Sequence, residues 1–174
     1  MEYFLLEQDM RYNYIPQIDD FYSQFMRRDF SKSRCNKIPN KNVVFCYSEK
    51  PVEKLDVLDR QCFLISENVK QVFGLYEPTM KFKMFCIINN LRMEYYNYFV
   101  PILEELDCLS ADSETNSDKS VIKRMILDSK QTGSHAIFKI AGINTDKVVV
   151  RLDVTESLLR RKCKGIQLKS IEMK

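Results

Sequence analysis

The chain contains a single histidine, His135, which is the only side chain that could supply the imidazole of a catalytic dyad, a catalytic triad or a histidine-based metal site. In a Cys-His dyad it would accept the proton of a thiol, and in a Ser-His-Asp triad it would activate a hydroxyl group. His135 follows a Gly-Ser turn and precedes a strand-like segment, and no catalytic partner for it is identifiable in the sequence. The pattern therefore favours a polar turn residue over a catalytic one.

The other residue types that could perform chemistry lack the required spacing. The six cysteines include no Cys-x-x-Cys pair and no neighbouring histidine, and several lie in apolar strand-like segments, where a reduced cysteine behaves as a small buried hydrophobe. Glu104, Glu105 and Asp107 form an acidic cluster without calcium-loop spacing. No glycine-rich phosphate loop is present. The sequence thus predicts no catalytic residue, no cofactor and no metal site.

Charge and hydropathy narrow the possible partners. The 27 basic and 24 acidic residues give a net charge of +3, and the two signs are interspersed, whereas a nucleic-acid-binding domain usually carries a basic stripe. The basic run Arg160–Lys164 is expected to occupy a helix carboxyl terminus, where the helix dipole favours cations. No apolar run approaches the roughly 20 residues that span a bilayer, and the amino terminus does not resemble a signal peptide. We therefore expect a cytoplasmic protein with no membrane partner, and the charge pattern disfavours a nucleic-acid partner.

Residues 81–101, KFKMFCIINNLRMEYYNYFVP, predict a central β-hairpin over 81–99 with Asn89-Asn90 as its turn. Because side chains alternate along a strand, this register places one uniformly apolar set on a single face, which we expect to be the core face. Its members are Met84, Cys86, Ile88, Leu91, Met93 and Tyr95.

The opposite face of the predicted hairpin mixes aromatic and charged residues. Tyrosine beside arginine is typical of protein interfaces, so this face supplies the candidate partner-binding residues. They are Phe85, Arg92, Glu94, Tyr96 and Tyr98. The alternative is that another part of the same chain, such as a helix, covers this face.

The remaining pattern predicts two strand-helix-strand units. The first has a helix near 66–74 with Ser66 as N-cap, and the second has a helix near 153–163 with Asp153 as N-cap and Val154, Leu158 and Leu159 as its buried stripe. Residues 2–8 suit an edge strand, 42–47 a further strand, and 121–127 a hairpin partner of 136–140, whereas 102–109 fits either a helix or a strand. The prediction is an α+β fold with a mainly antiparallel sheet. It forms a single compact domain over 1–174, within which residues 1–41 are a possible subregion.

Nine short motifs occur in a fixed order along the chain. They are PVEKL from Pro51, FLIS ending at Ser66, Tyr76 with Pro78, Tyr95-Tyr96, LDCLSADS, MILD, IFKI, VTESL and GIQL. In this order they resemble a family of small bacterial immunity proteins associated with polymorphic toxin loci and formerly catalogued as a domain of unknown function. The resemblance covers about 43–168. The chain departs from the family pattern by having no tryptophan and by carrying Leu168 where phenylalanine is expected.

The resemblance implies a non-enzymatic protein that binds a cognate bacterial toxin and neutralises it by protein-protein contact. Such a protein needs a rigid scaffold and a complementary surface but no reacting groups. Two other classes stay open. One is a nucleic-acid-binding module in which Arg160, Arg161, Lys162 and Lys164 join Lys123 and Arg124 in one patch. The other is an enzyme in which His135 meets a cysteine or carboxylate in a deep pocket.

Overall fold

The computed structural model describes residues 1–118 and 120–174. The strands of this part of the chain are β1 (Tyr3–Gln8), β2 (Lys41–Cys46), β3 (Val57–Leu58), β4 (Leu64–Ile65), β5 (Lys81–Asn89), β6 (Glu94–Ile102), β7 (Glu105–Leu106), β8 (Glu114–Thr115), β9 (Ile122–Arg124), β10 (Ile126–Leu127), β11 (Ile137–Ile140), β12 (Val148–Arg151) and β13 (Ile166–Met173). The α-helices are α1 (Phe21–Gln24), α2 (Glu67–Tyr76), α3 (Ser129–Thr132) and α4 (Leu152–Arg160), and two 3-10 turns cover Arg27–Phe30 and Cys35–Lys37.

The strands form two large sheets and one small one. The six-stranded sheet has the order β10-β13-β1-β12-β11-β7, the five-stranded sheet has the order β2-β5-β6-β4-β3, and β8 pairs with β9. The α+β character is as predicted, but the expectation of a mainly antiparallel sheet is corrected because both large sheets are mixed. β2 runs parallel to β5, β10 runs parallel to β13, and β7 runs parallel to β11.

The two long helices pack against each other and against both large sheets. Val69, Val72 and Phe73 of α2 and Val154 and Leu158 of α4 are completely buried in the core that joins the sheets. The α2 helix begins where predicted, because the Ser66 hydroxyl accepts a hydrogen bond from the amide of Val69 and caps the amino terminus. The two predicted helices are therefore present, with boundaries shifted by a few residues.

The start of α4 differs from the prediction. The helix begins at Leu152 with Arg151 in the N-cap position, and Asp153 instead holds the Arg151 guanidinium with two hydrogen bonds of 2.9 and 2.8 Å. Leu159, predicted to be buried, is 57% exposed, because it follows the buried Leu158 and points to a different side of the helix. Gly165 closes this unit with a φ of 71°, and a Cβ on it would lie 2.6 Å from a Leu55 methyl carbon.

Two strand predictions that involve the six-stranded sheet are wrong. β1 is not an edge strand, because it pairs with β12 on one side and β13 on the other. Residues 121–127 do not form a hairpin with 136–140, since β9 pairs with β8, β10 pairs with β13, and β11 pairs with β12 and β7. In the 102–109 segment, which was open between helix and strand, the short strand β7 is present.

The central hairpin exists, but its turn and its core face differ from the prediction. The turn spans residues 90–93, so Ile88 faces Tyr95 rather than Leu91. The register differs by an even number of residues, so the same side chains still share each face. The face predicted to be the core is open at its turn end, where Leu91 is 58% exposed, Met93 is 89% exposed and Tyr95 is 66% exposed. At its other end Met84 packs against the core, as predicted.

The core of the five-stranded sheet lies on the hairpin's other face, where the amino-terminal segment covers it. Phe21, Phe25 and Phe30 of that segment pack as a ring cluster, and Phe25 contacts the Phe85 ring edge-to-face at 5.1 Å between centroids. The charged residue on this face, Lys83, has hydrogen-bond partners. Lys83 is buried and its ammonium donates to the Ile38 carbonyl and the Asn40 side chain, at 2.7 and 2.9 Å.

No helix of the described residues is both long and apolar enough to cross a membrane.

Candidate protein-interaction surface

Three of the five predicted partner-binding residues lie in the core. Phe85, Tyr96 and Tyr98 are 0%, 4% and 3% exposed. The Tyr98 hydroxyl donates to the Leu55 carbonyl at 2.9 Å, and burial raises the pKa of Tyr98 above its ordinary value. The alternative, in which another part of the same chain covers this face, is correct for these three rings. They are therefore inaccessible to a partner in this structure.

The other two predicted residues, Arg92 and Glu94, stay partly accessible at the hairpin tip. Their side chains are 31% and 38% exposed and approach to 3.4 Å. The Tyr96 hydroxyl donates to the Glu94 carboxylate at 2.5 Å, and this bond, together with Arg92, holds the pKa of Glu94 below its ordinary value. Arg92 also donates to the Glu49 carbonyl at 3.2 Å. These contacts fix the tip to the neighbouring loop.

Asn89 adds a second set of bonds at the tip. It is completely buried, its side-chain nitrogen donates to the Ser48 carbonyl at 2.9 Å, and its side-chain oxygen accepts from the Leu91 amide at 3.2 Å. Met93 closes the turn with a φ of 52°, a left-handed conformation that costs a non-glycine residue roughly 1–2 kcal/mol. The turn is thus held in one conformation while Leu91 and Met93 project from it.

An open apolar surface extends from this turn along the outer side of the five-stranded sheet. Val43 of β2 is opposite Cys86 of β5, and Phe45 is opposite Ile88, which is in turn opposite Tyr95 of β6. Val43 and Phe45 are 63% and 44% exposed. We call this surface the tip face. Its members are Val43, Phe45, Cys86, Ile88, Leu91, Met93 and Tyr95.

The helix α2 explains why only this end of the sheet is open. The helix packs over the other end, where Phe82, Met84 and Phe99 join the shared core. The Lys70 ammonium of α2 lies 4.1 Å from the centroid of the Phe99 ring, within the covered end of the sheet. The exposed fractions of the five open side chains amount to on the order of 500 Å² of apolar surface, which is near the largest patch that a typical monomer exposes.

The edge strand β2 borders the tip face. Among the described strands it pairs only with β5, and on its other side the Phe45 carbonyl accepts a hydrogen bond of 2.9 Å from the Asp19 amide. The amino-terminal segment therefore reaches the end of this edge and leaves the side chains of Val43 and Phe45 uncovered.

A second feature is a cleft of about 400 Å³ that contains His135. Its lining also includes Cys35, Glu77, Lys81 and Glu104. In the described part of the chain, however, no hydrogen bond joins His135 to any of these groups. The Cys35 thiol is buried and lies 3.6 Å from the Lys32 carbonyl, to which it donates, and Glu104 pairs with Lys32. The cleft gathers candidate groups without assembling a dyad or triad.

The basic residues do not form one patch. Arg124 pairs with Glu172 near the end of β13 at 2.8 Å, whereas Lys164 precedes the start of β13 and pairs with Glu53 at 2.7 Å. At about 3.3 Å per residue, the stretch from Lys164 to Glu172 extends roughly 25 Å. Within residues 1–118 and 120–174, no group of three or more histidine, cysteine or acidic side chains is arranged to hold a metal ion.

Sequence reasoning missed the tip face because it assigned the uniformly apolar residues to the core. A signal was nevertheless available, since residues 21–30 carry Phe21, Phe25 and Phe30 within ten positions and need an apolar face to cover. The odd-numbered residues of β5, which include Phe85 and Ile87, provide that face.

Neither the protein-family models nor the curated proteins contain a match to this chain. The resemblance to immunity proteins therefore remains a prediction that rests on the nine motifs.

Proposed function

We propose that this chain is a non-enzymatic immunity protein that binds a cognate bacterial toxin through the tip face and neutralises it by protein-protein contact. The observation that carries the proposal is an exposed apolar surface made by Val43, Phe45 and Tyr95 on the sheet and by Leu91 and Met93 on a turn held by hydrogen bonds. A contiguous apolar patch of this size is near the largest that a monomer exposes, and such a patch is often a functional surface.

The rigidity of the tip supports a binding role. Ordering a flexible side chain or loop costs an interface about 0.5–1.5 kcal/mol for each immobilised group, so a turn that is fixed beforehand retains more of its contact energy. Asn89 and Arg92 supply that fixation from the sheet side, and the apolar side chains point away from it. Arg92 and Glu94 then form a polar rim beside an apolar centre, as in other protein interfaces.

The left-handed Met93 supports the same role. A glycine at this position would relieve the backbone strain, but it would remove the most exposed apolar side chain of the surface, which is 89% exposed. Backbone strain tends to occur at binding sites, where it has a functional use. Met is also adaptable in shape and is common on recognition surfaces.

The proposal expects a toxin gene next to the gene for this protein, and that toxin is the binding partner for the test. Leu91→Asp combined with Met93→Asp should leave folding intact, because both side chains are exposed, and should weaken toxin binding at least 100-fold in calorimetry. Cells that co-express the toxin and this variant should lose protection. The matched control is Leu75→Asp on α2, which is 65% exposed and lies outside the tip face.

Two results would contradict the proposal. The first is wild-type toxin binding by the Leu91→Asp/Met93→Asp protein with an unchanged melting temperature. The second is loss of protection on His135→Ala substitution with binding retained, which would favour the enzyme alternative in the His135 cleft. The nucleic-acid alternative predicts binding to a labelled duplex at low salt that weakens steeply as salt is added.

A further inference from the structure

A second recognition element adjoins the tip face at the end of β2. There the segment 13–23 and residues 46–48 enclose a cavity of about 590 Å³, within the size range of ligand-binding pockets. Tyr47, in its lining, follows Phe45 of the tip face by two residues, and the Ser48 carbonyl accepts the hydrogen bond from Asn89. The cavity and the tip face therefore share one loop.

Three tyrosines line this cavity and remain largely exposed. Tyr14, Tyr22 and Tyr47 are 53%, 60% and 63% exposed, so their ring surfaces are available to a ligand. The face of an aromatic ring carries negative electrostatic potential and attracts cations. Three such rings around one cavity are a suitable wall for an ammonium or guanidinium group.

The charged residues that line the cavity favour a cation, as the tyrosine rings do. Asp19 and Asp20 line it, and no lysine or arginine is among its described lining residues, although the protein as a whole carries a net charge of +3. One carboxylate oxygen of Asp19 is buried and has no hydrogen-bond partner. The carboxylate of Asp20 is exposed and is a suitable acceptor for the N–H groups of a cation in the cavity.

The chain itself places an ammonium group beside one of these tyrosines, outside the cavity lining. The Lys50 nitrogen lies 4.9 Å from the centroid of the Tyr14 ring and donates to the Tyr14 hydroxyl at 3.2 Å. Lys50 is exposed and forms no ion pair within residues 1–118 and 120–174. Its position shows the contact that a ligand cation would make with the cavity rim.

We propose that this cavity binds the cationic end of a lysine or arginine side chain presented by the partner protein. The cavity provides tyrosine ring faces for the cation and the Asp19 and Asp20 carboxylates as acceptors for its N–H groups. The identity of the donor as the toxin rests on the proposed function, whereas the cation site itself does not. The exposed tyrosines and the tip face together offer on the order of 900 Å². A standard protein interface buries about 800 Å² per partner.

The site is tested first without any partner, by nuclear magnetic resonance of the tyrosine rings during titration with N-acetyl-arginine amide and N-acetyl-lysine amide. We expect saturable shifts of Tyr14, Tyr22 and Tyr47 with millimolar affinity. The neutral analogue N-acetyl-citrulline amide should bind at least tenfold more weakly. Equal binding of the neutral analogue would overturn the site.

Variants sharpen this titration. Asp19→Asn with Asp20→Asn should weaken arginine-amide binding at least tenfold, and the matched control Asp107→Asn, an exposed carboxylate elsewhere, should not change it. Lys50→Gln should strengthen binding about twofold or more, because it removes the competing ammonium. Asp20→Asn alone serves if the double variant does not fold, since Asp20 is exposed. Unchanged binding in the acidic variants would overturn the proposal.

The toxin provides the second readout. Weaker toxin binding by the Asp19→Asn/Asp20→Asn protein, together with competition by arginine amide, would support the assignment of the donor. Toxin binding that is lost in the tip-face variant but unaffected by the cavity variants would overturn that assignment and leave the proposed function standing. Cation binding without any toxin binding would refute the proposed function and leave the cation site standing.

Discussion

Both faces of the five-stranded sheet carry apolar side chains, but one face is covered and the other is partly open. On one face Phe85, Ile87, Tyr96 and Tyr98 are buried under the amino-terminal segment. On the other, α2 covers only the end near Met84 and Phe99, and Val43, Phe45 and Tyr95 remain open. A charge on the hairpin did not decide which face became core, because the buried Lys83 satisfies its ammonium with a carbonyl and an amide oxygen. Coverage by a distant part of the chain decided it.

The largest difference between the faces should appear on truncating an aromatic ring. Phe85→Ala removes a completely buried ring from the cluster around Phe25 and should lower the free energy of unfolding by about 3–5 kcal/mol. The matched change Tyr95→Ala, on the open face, should cost at most about 0.5 kcal/mol. Urea denaturation measures both. Equal costs would refute the contrast between the faces.

Lys83 tests how the covered face tolerates a charge. Lys83→Met keeps the length of the side chain but leaves the Ile38 carbonyl and the Asn40 side chain without their donor, which should cost about 1–3 kcal/mol. Arg92→Met at the accessible tip is the control and should cost less, because its partners can turn to water. Greater stability of the Lys83→Met protein in thermal denaturation would show that the buried ammonium is not stabilising the segment.

Met93→Gly tests the open face, and unlike the preceding variants it is expected to raise the stability of the protein. Met93→Gly relieves the left-handed conformation, and after the greater chain entropy of glycine in the unfolded state is subtracted, we expect a gain of about 0.5 kcal/mol in stability. The same variant should bind the toxin more weakly, because the exposed side chain is gone. Calorimetry and denaturation on one preparation measure both effects. A loss of stability, or unchanged binding, would contradict the role assigned to this residue.

The smallest expected effect is a pH dependence at the tip. The hydrogen bond from Tyr96 and the nearby Arg92 lower the folded pKa of Glu94 from its ordinary value of 4.5. The contribution of ionised Glu94 to stability is therefore fully present above about pH 4.5 and is lost as the pH falls through the lower folded value. Carbon-detected titration of the Glu94 carboxyl group should show the lowered pKa, and Tyr96→Phe should raise it. A midpoint that does not move in Tyr96→Phe would exclude the hydroxyl as its cause.

The elements that the sequence predicted well are those whose signals are local. The Ser66 cap with the Val69, Val72 and Phe73 stripe predicted α2, and the β-branched run 148–150 followed by Val154 and Leu158 predicted β12 and α4. Alternation along 81–99 predicted which hairpin residues share a face, and an error in turn length did not disturb that grouping. These features depend on neighbours within a few residues, so short-range periodicity and capping are sufficient to specify them.

The sequence by itself contains no catalytic or metal-binding pattern that can be recognised from residue types and spacing, and the absence of such a site stays a prediction. Only the tertiary structure decided that Phe85, Tyr96 and Tyr98 are covered, that Leu91, Met93 and Tyr95 are open, and that β10 joins β13 rather than β11. It alone brought Tyr14, Tyr22 and Tyr47 around one cavity with Asp19. Each of these outcomes depends on which distant segment packs against a given face. An apolar strand face must be buried against some other part of the protein. Its own sequence does not specify which segment packs against it.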